Sequence, residues 1–420
     1  MSDAIDVFAF NVRFGDAILV RVPDKDRVGG GTTVRHILID VGNTLAAAKP
    51  ADEPMPAERG GADDVLPPAV DQILAVLGGA TLDLYVMSHE HLDHVQGLPY
   101  AEGHPTTPVP PPGPKLRDVL KPKFVWMSAS AEGDAYYATH PDARRQFDRR
   151  NQAFSAIHTH LWAMPSAQMA TLAPLLLNNN AAFTGPCVAW LKTLAPDGQT
   201  PAYLHRLVTP AALAACHPFE EATFEIWAPE EDTSDYYGAL KPMALGAASD
   251  PSPLSPPNPG PRLVPPPGVD ATAFLNLVDL RRRGVAENLL AIDKSANNSS
   301  LVFCLKWRGL KLLFPGDAEQ RSWATMKKQN VLTAVDFLKV AHHGSANGTP
   351  DADVLDLILP IGAPAAVKAK KVALVSTWDH TYGGIPNDPT DTKLRDRCGT
   401  LVSTLDDRTQ PFVKVTLPAP

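Results

Sequence analysis

The sequence predicts an α/β fold, close to an α/β sandwich, in which two β-rich halves are covered by helices. Three observations support this prediction. Short β-rich runs alternate with turn signals in the first 42 residues. A second series of strands and helices occupies the last third of the chain. Because a sheet must bury a face against another layer, helices between the two series are expected to cover both halves.

The first half begins as an antiparallel meander. Its three predicted strands span Ile5–Val12, Ala17–Val22 and Val34–Val41, and three consecutive glycines precede the third strand. The spacing of apolar residues then predicts a helix over Pro68–Leu77. A short strand of the buried type, Leu82–Met87, leads directly into a segment rich in histidine.

Breaker-rich tracts and a helix-rich stretch separate the two halves. Residues 105–114 are nearly all proline and small residues, which predicts an extended surface loop. After a predicted strand over Lys123–Met127, residues 142–215 are rich in helix formers and predict a mostly helical insertion. A second proline-rich tract, residues 250–268, is typical of a lid or a disordered excursion.

The second half is predicted to alternate strands with helices. The predicted strands are Thr223–Trp227, Leu301–Lys306, Leu310–Phe314, Phe337–Ala341, Val372–Ser376 and Phe412–Leu417, and the predicted helices are Ala318–Gln329 and Ala352–Leu359. No internal repeat is visible in the sequence. We therefore expect a single domain over residues 1–420, with insertions at 101–222 and 230–296.

Composition limits the function classes. The chain has 420 residues, of which 44% are hydrophobic, enough for a large core without disulfide or structural-metal staples. The 38 basic and 46 acidic residues give a formal charge of −8, so nothing attracts nucleic acid or an anionic membrane globally. The four scattered cysteines suit buried, inert thiols better than disulfides or zinc ligands.

The localisation expected from the sequence is cytoplasmic, without membrane contact. No apolar run approaches the roughly 18 to 20 residues of a membrane span, and the first residues do not form an export signal. Local arginine runs at 144–145, 149–150 and 281–283 favour solvated helix faces over nucleic-acid contacts. Aromatic residues do not interleave with these runs, so no platform for stacking bases is evident.

The sharpest chemical signal is the segment Ser-His-Glu-His-Leu-Asp-His, residues 88–94. It places three imidazoles and two carboxylates within six residues immediately after a predicted strand. Residues at these spacings in a loop can converge on one or two ions, and this ligand set suits Zn²⁺, Mn²⁺ or Fe²⁺. The segment therefore predicts metal binding.

Two weaker signals follow in the second half. A predicted strand ends in Gly316-Asp317, and another ends in His342-His343-Gly344-Ser345. Each alone is an ordinary turn or a pair of core or surface histidines. Their order after the HxHxDH segment is more informative, since all three lie where strands end and loops gather.

Together these motifs resemble the metallo-β-lactamase fold hydrolases. The resemblance implies an αββα sandwich with one or two metals between two sheets, which agrees with the two-halves prediction. Within the superfamily the sequence is most similar to the metallo-β-lactamase-like domain of the ComEC DNA-internalisation competence family. The similarity covers about residues 5–100 and 223–405, and the segments that carry it are Gly15–Val20, Leu38–Gly42, Asn298–Val302, Phe314–Glu319 and His342–Ser345.

The resemblance implies a metal-ligand set. His89 and His91 would bind a first ion, Asp93 and His94 a second, and Asp317 would bridge both. The ions would be Zn²⁺, with Mn²⁺ or Fe²⁺ as alternatives, and Asp93 or Asp317 would orient or deprotonate the attacking water.

The resemblance also implies supporting residues. His342 would complete the second metal site, with His343 as its outer neighbour or a substrate contact, although the sequence does not decide between the two histidines. Asp40 would hydrogen-bond the loop histidines and fix their tautomers. Further outer or substrate contacts would be Ser345, Asn298 and His380.

The sequence departs from this family in three respects. Neither a membrane span nor an OB-like domain is visible, so a role in DNA uptake is not implied. The family's Gly-His-Pro turn reads Gly-Gly-Ile-Pro at residues 383–386 here. The superfamily's additional metal-binding histidine has no clear match, and the candidates for it are His158, His160, His205 and His217.

The function predicted from the resemblance and the ligand set is a metal-dependent hydrolase of phosphodiesters, either a nuclease or a nucleotide phosphodiesterase. A lactone or ester hydrolase of the same fold is the enzymatic alternative, because fold is a poor guide to substrate. A third interpretation is a regulated hydrolase subunit that binds a protein partner through the helical insertion or the proline-rich tracts. The sequence does not determine the oligomeric state.

Overall fold

The computed structural model describes most of the chain. The described residues are 3–26, 29–44, 62–103, 115–162, 173–243, 284–378 and 385–420, with a few positions between 265 and 278. The predicted loop at 105–114, nearly all of the tract at 250–268, the arginine run at 281–283 and His380 lie outside them.

The strands of the described residues form two mixed sheets. The strands are β1 (Ala4–Phe10), β2 (Ala17–Lys25), β3 (Thr32–Val41), β4 (Leu84–Met87), β5 (Phe124–Ser128), β6 (Ala202–Leu204), β7 (Ala222–Ala228), β8 (Val302–Trp307), β9 (Leu310–Phe314), β10 (Phe337–Lys339), β11 (Val372–Val375), β12 (Thr400–Ser403) and β13 (Phe412–Pro418). The first sheet has the order β13-β1-β2-β3-β4-β5-β6, and the second has the order β12-β11-β10-β9-β8-β7. Strands β3 to β6 run parallel to one another, as do β9 to β12.

Helices connect and flank these strands. They are α1 (Ala62–Leu77), α2 (Leu92–Val95), α3 (Gly97–Ala101), α4 (Leu116–Leu120), α5 (Asp134–Thr139), α6 (Pro141–Trp162), α7 (Ala173–Asn178), α8 (Ala181–Lys192), α9 (Pro210–Ala214), α10 (Val285–Asn298), α11 (Gln320–Lys328), α12 (Ala352–Ile358), α13 (Ala365–Lys368) and α14 (Asp388–Arg395). None of the helices in the described part of the chain is long and apolar enough to cross a membrane.

The two sheets pack face to face. Side chains of a strand point alternately to its two faces, and in β1 the residues Ile5 and Val7 join Phe303 and Phe314 of the second sheet in one buried cluster. The opposite face of β1 carries Phe8, which packs in the cluster that contains α1 and α8. The second sheet is covered in the same way by α11, α12 and α14. The layers are helix, sheet, sheet and helix, which agrees with the predicted α/β sandwich.

Most predicted elements are present, with shifted ends. The antiparallel meander of the first half is confirmed by β1, β2 and β3. Residues 142–215, predicted to be mostly helical, also contain β6, which extends the first sheet beside β5. The strand β6 is only three residues long, too short to produce a periodic signal. The segment 101–222 is therefore not purely an insertion, because it supplies two strands of the sheet.

Candidate metal centre

The site lies where the carboxyl ends of parallel strands from both sheets meet. The histidine-rich loop follows β4, Asp317 follows β9, and His342 and His343 follow β10. Ligand sites of α/β proteins favour this edge, because loops gather there around open backbone ends. The site is thus built from both halves of the sandwich.

Two glycines allow the loops to approach closely. A Cβ atom at Gly42 would lie 2.5 Å from the backbone carbon of Asp93. Gly316 has a φ of +55°, and a Cβ there would lie 2.9 Å from Cβ of Ser88. Only glycine combines a left-handed backbone with so little space. The Gly-Asp turn therefore brings the second sheet against the histidine-rich loop.

Four side chains form the centre of the site, which we call the Asp93 cluster: Asp93, His94, Asp317 and His343. One donor atom of each lies within 4.8 Å of the others. Nε2 of His94 is 3.2 Å from Oδ2 of Asp317, and Nε2 of His343 is 3.4 Å from Oδ2 of Asp93. All four residues are at most 2% exposed. Two imidazoles and two carboxylates at these distances could hold a metal ion.

The atoms that face the centre make no hydrogen bond among the described residues. They are Oδ1 of Asp93, Nε2 of His94, Oδ2 of Asp317 and Nε2 of His343, and Nε2 of His89, which lies outside this group, has no hydrogen bond either. Although some of them lie within 3.5 Å of one another, they are not aligned as donor and acceptor. A buried polar atom without a hydrogen bond is costly. Four residues with such atoms at one place suit a bound cation.

The pKa values of Asp317 and His89 suit metal binding. By contrast, burial lowers the pKa of His94 but Asp317, Asp93 and Asp40 raise it well above its ordinary value, so a metal must displace the His94 proton. Burial raises the pKa of Asp317, but the imidazoles of His94 and His343 lower it further, so the pKa lies well below its ordinary value. Burial and the neighbouring rings of His94 and His91 hold the pKa of His89 well below its ordinary value. The carboxylate is thus ionised and the His89 imidazole neutral, which are the forms that bind metals.

Asp40, together with Ser88, orients the His94 ring of the cluster. One carboxylate oxygen of Asp40 accepts a hydrogen bond from the Ser88 backbone N–H at 2.7 Å. The other oxygen lies 2.9 Å from Nδ1 of His94 and also accepts from the Ser88 hydroxyl. With Nδ1 engaged by a carboxylate, Nε2 of His94 is free to face the centre. This is the position of a carboxylate that fixes a ligand imidazole, and it is the role predicted for Asp40.

A buried ion pair supports His343. The ammonium group of Lys339 contacts the carboxylate of Asp16, whose other oxygen accepts from the Ser376 hydroxyl. The Ser376 carbonyl oxygen lies 3.0 Å from Nδ1 of His343. This contact orients Nε2 of His343 toward Asp93. Because Lys339 balances the charge of the Asp16 carboxylate, we interpret Asp16 as a residue that positions His343 through Ser376.

A second group, the Asp293 cluster, lies beside the first and consists of Asp293, Glu319 and His342. Their donor atoms lie within 4.8 Å of one another. Nδ1 of His342 is 3.3 Å from Oε1 of Glu319, and Nε2 of His91 is 3.7 Å from Oδ1 of Asp293. The glutamate side chain raises the pKa of His342 to about 9 against the opposing effect of burial. This group too could hold a metal ion.

Asparagine side chains tie the two clusters together. Oδ1 of Asn179 lies 3.0 Å from Nε2 of His91, and its amide nitrogen donates to Asp293 at 2.7 Å. The neighbouring Asn178 accepts a hydrogen bond from the backbone N–H of Asp93. The C-terminal end of α7 and the residue that follows it therefore fix the outer side of the histidine-rich loop.

The structure separates the two consecutive histidines. His343, at 0% exposure, lies in the Asp93 cluster, whereas His342 points to Glu319. The resemblance implied His342 as the ligand at the second metal, but the sequence left open which of the two histidines it is. Both residues have left-handed backbones, with φ of 46° and 54°. The alternation of side chains between the two faces of a strand therefore ends before these residues. For this reason the sequence did not show which histidine ring points to the Asp93 cluster.

The other predicted contacts lie outside both clusters. Ser345 accepts from the Gly348 backbone N–H, and Asn298 accepts from the backbone N–H of Ser322 at the start of α11. Ser345 thus stabilises the loop after β10, and Asn298 stabilises the start of α11. Among the described residues, the potential metal-binding groups also omit the four candidates for the additional histidine, His158, His160, His205 and His217.

Sequence reasoning missed several residues of the site. Glu319 belongs to the Gly-Asp-Ala-Glu segment and follows the predicted ligand Asp317 by two residues. This short spacing is a signal that could have identified it. Asn178 and Asn179 belong to a run of three asparagines. Asp293 lies within α10 without any motif around it, so only the fold identifies it.

All four cysteines are free thiols outside these clusters, and burial raises the pKa of Cys187 and of Cys304 to about 12.

No family model matches the chain, and no curated protein is significantly similar to it in sequence. The site is therefore interpreted from its own geometry.

Proposed function

We propose that this protein is a metal-dependent hydrolase that cleaves phosphodiesters. One observation carries the proposal: two histidines and two aspartates converge on one point, and each has a buried side-chain atom without a hydrogen bond. Inert core residues would be paired with one another. A set of histidines and aspartates that remains open inside a folded protein is typical of a metal-dependent active site.

The layering of the fold supports assignment to the metallo-β-lactamase superfamily. Two facing sheets covered by helices, with the HxHxDH loop after a strand of one sheet, match the architecture that the sequence resemblance implies. The Gly-Asp and His-His segments follow strands of the other sheet. We propose the specific superfamily on this combination of order and position.

The residues that would hold a metal ion are those of the Asp93 cluster, with His89 beside it. A bound divalent ion lowers the pKa of water and stabilises negative charge on a phosphoryl oxygen. Zn²⁺ suits the mixture of imidazole and carboxylate ligands, and Mn²⁺ or Fe²⁺ are the alternatives. The Asp293 cluster is where a second ion would bind.

The protein's own groups have separate tasks. Asp93 and Asp317, held ionised, can accept a hydrogen bond from water and orient it. The backbone N–H of His342 donates to Oδ1 of Asp317 at 3.2 Å, which leaves Oδ2 directed at the centre. Asp40 keeps Nε2 of His94 directed at the same place. Burial excludes bulk water, so each charge acts at low dielectric.

A phosphodiester is the substrate that this charge arrangement favours. Its single negative charge is repelled by a protein of formal charge −8, unless cations neutralise it locally. A cation held among two ionised aspartates would supply that neutralisation. The similarity to the ComEC domain points to the same class of substrate.

The test combines metal analysis with hydrolysis of bis(p-nitrophenyl) phosphate in the presence of Zn²⁺ or Mn²⁺. Wild type should contain one or two ions per chain and release p-nitrophenol. Asp93→Ala should lose both properties. Asp197→Ala, at an exposed aspartate that pairs with Arg117, is the matched control and should behave as wild type. If wild type contains metal but does not hydrolyse the phosphodiester, the proposed substrate class is wrong. If wild type contains no metal, the proposed metal site is wrong.

A further inference from the structure

A basic pocket lies between α6 and α10. We define the basic pocket by Arg149, Arg150, Tyr237, Ser295 and Arg321, which line a cavity of about 340 Å³. This volume falls at the small end of the range for sites that bind small molecules. Both helices belong to segments that the sequence predicted as insertions. The inserted segments therefore build a cavity that the two sheets alone would not have.

The charge of the basic pocket contrasts with that of the whole protein. Three guanidinium groups reach it from two helices, Arg149 and Arg150 from α6 and Arg321 from α11. Among the described residues that line the cavity, none is a carboxylate. Arginine presents a planar set of donors that matches phosphate in two-point contacts. The pocket thus suits an anion, and a phosphoryl group best.

Hydrogen bonds fix one wall of the basic pocket. Nη1 of Arg321 donates to the carbonyl oxygens of Asp235 and Tyr237, at 2.7 and 2.9 Å. These bonds use both hydrogens of Nη1, and the other nitrogens of the guanidinium group remain as donors. The segment that carries Tyr237 is therefore held in place beside α11. A fixed wall reduces the entropy lost when a ligand binds.

The basic pocket is next to the candidate metal centre. A small gap of about 10 Å³, room for about one water, is lined by His89, Arg150 and Tyr237, and also by Glu90, whose carboxyl group interacts with Arg150. Arg150 and Tyr237 also line the basic pocket, so the two spaces share these side chains. On its other side, the His89 ring lies 4.2 Å from the His94 ring, measured between centroids. The basic pocket and the metal centre are therefore adjacent, with the His89 ring and a space of about one water between them.

We propose that the basic pocket binds a second phosphoryl group of the substrate, adjacent to the phosphodiester that is cleaved at the Asp93 cluster. The substrate class is then a phosphodiester with a further phosphoryl group, as in a nucleotide chain. This inference rests on the proposed function, because the pocket selects among phosphodiesters and does not cleave them. Its positive charge also explains how a protein of acidic composition attracts a polyanion to one place.

The test measures binding separately from turnover. Thymidine 3′,5′-bisphosphate and thymidine 5′-monophosphate are titrated into the metal-loaded full chain by calorimetry. Wild type should bind the bisphosphate at least tenfold more tightly. Arg149→Gln/Arg150→Gln should reduce this preference to less than twofold. The matched control is Arg144→Gln/Arg145→Gln, which removes two exposed arginines from the same helix and should keep the preference.

The outcomes separate the two proposals. Hydrolysis of bis(p-nitrophenyl) phosphate without any preference for the bisphosphate would overturn the pocket and leave the hydrolase standing. A preference without hydrolysis would support the pocket and count against the hydrolase. An equal loss of preference in both double variants would mean general electrostatic attraction, and would overturn the pocket. Unfolding curves show whether the Arg149→Gln/Arg150→Gln variant is folded. If it is not, the single variant Arg149→Gln, at an exposed side chain, replaces it.

Discussion

Nε2 of His343 lies 3.4 Å from Oδ2 of Asp93, although one residue follows a strand of the second sheet and the other follows a strand of the first. His342, its neighbour in sequence, faces Glu319 instead. The left-handed backbone at both histidines thus decides which imidazole belongs to the Asp93 cluster.

This relationship predicts different results for two alanine variants. We expect His343→Ala to lower metal affinity by at least tenfold, because it removes a buried donor of the Asp93 cluster. His342→Ala should lower it less, since that ring belongs to the neighbouring cluster. Metal content after dialysis against buffers of fixed free Zn²⁺ compares the variants. A larger loss in His342→Ala would reverse the assignment.

The position of Asp40 predicts a loss of affinity without a loss of fold. Asp40→Asn removes the carboxylate that fixes the His94 ring, and outer carboxylates of this kind contribute about 10- to 100-fold in metal affinity. Asparagine tolerates the left-handed backbone of this position, where φ is 51°. Competition with a chromogenic chelator measures the affinity. Unchanged affinity in a folded variant would show that Asp40 only supports the loop.

Metal removal should lower thermal stability. A ligand present at about 100 times its dissociation constant stabilises the native state by about 2.7 kcal/mol, provided that it does not bind the unfolded chain. We expect a chelator to lower the melting temperature of wild type by a few degrees. Asp317→Asn should show almost no effect of the chelator, because its site no longer binds the ion. Equal shifts in both proteins would place the stabilising ion elsewhere.

His217 should make stability depend on pH. It packs against Trp126 and Phe224, and burial lowers its pKa to about 4, with Asp24 opposing. The unfolded chain, with a histidine pKa near 6.5, therefore binds more protons below that pH, so stability falls as pH falls from about 6.5 to 4.

The comparison of wild type with His217→Gln tests this dependence. The slope contributed by one histidine is at most about 1.4 kcal/mol per pH unit, and partial exposure of the ring makes it shallower. Urea unfolding at pH 7 and pH 5 measures the free energy of unfolding of both proteins. The variant should lose less stability than wild type on acidification. The same loss in both would show that other groups dominate.

The sequence was sufficient for the elements that carry strong periodic or turn signals. Strand β4 follows from an apolar run, and the prediction that the loop after it could bind a metal follows from its three histidines and two carboxylates. The antiparallel meander follows from alternation and glycine turns. For these elements the information lies within about ten neighbouring residues. Asp317 was predicted from the resemblance that the order of the three motifs carries, since a Gly-Asp turn after a strand is ordinary by itself.

What the sequence did not provide depends on contacts between distant segments. Lys339 and Asp16 read as a strand residue and a turn residue, and only the packed sheets show that they form a buried ion pair beneath the site. Asp293 reaches the site only because α10 lies beside the histidine-rich loop. The three-residue strand β6 exists because β5 offers it an edge. Local propensity contains none of this information.

The origin of the donor atoms in both sheets has a consequence for dynamics. Asp93 and His94 belong to one half of the sandwich, and Asp317 and His343 to the other, so an ion bound by all four would cross-link the halves. Separation of the sheets and release of the ion would then be a single event. Loading should slow amide hydrogen exchange in β4 and β10 together, and the rate of ion exchange would report how often the interface between the sheets opens.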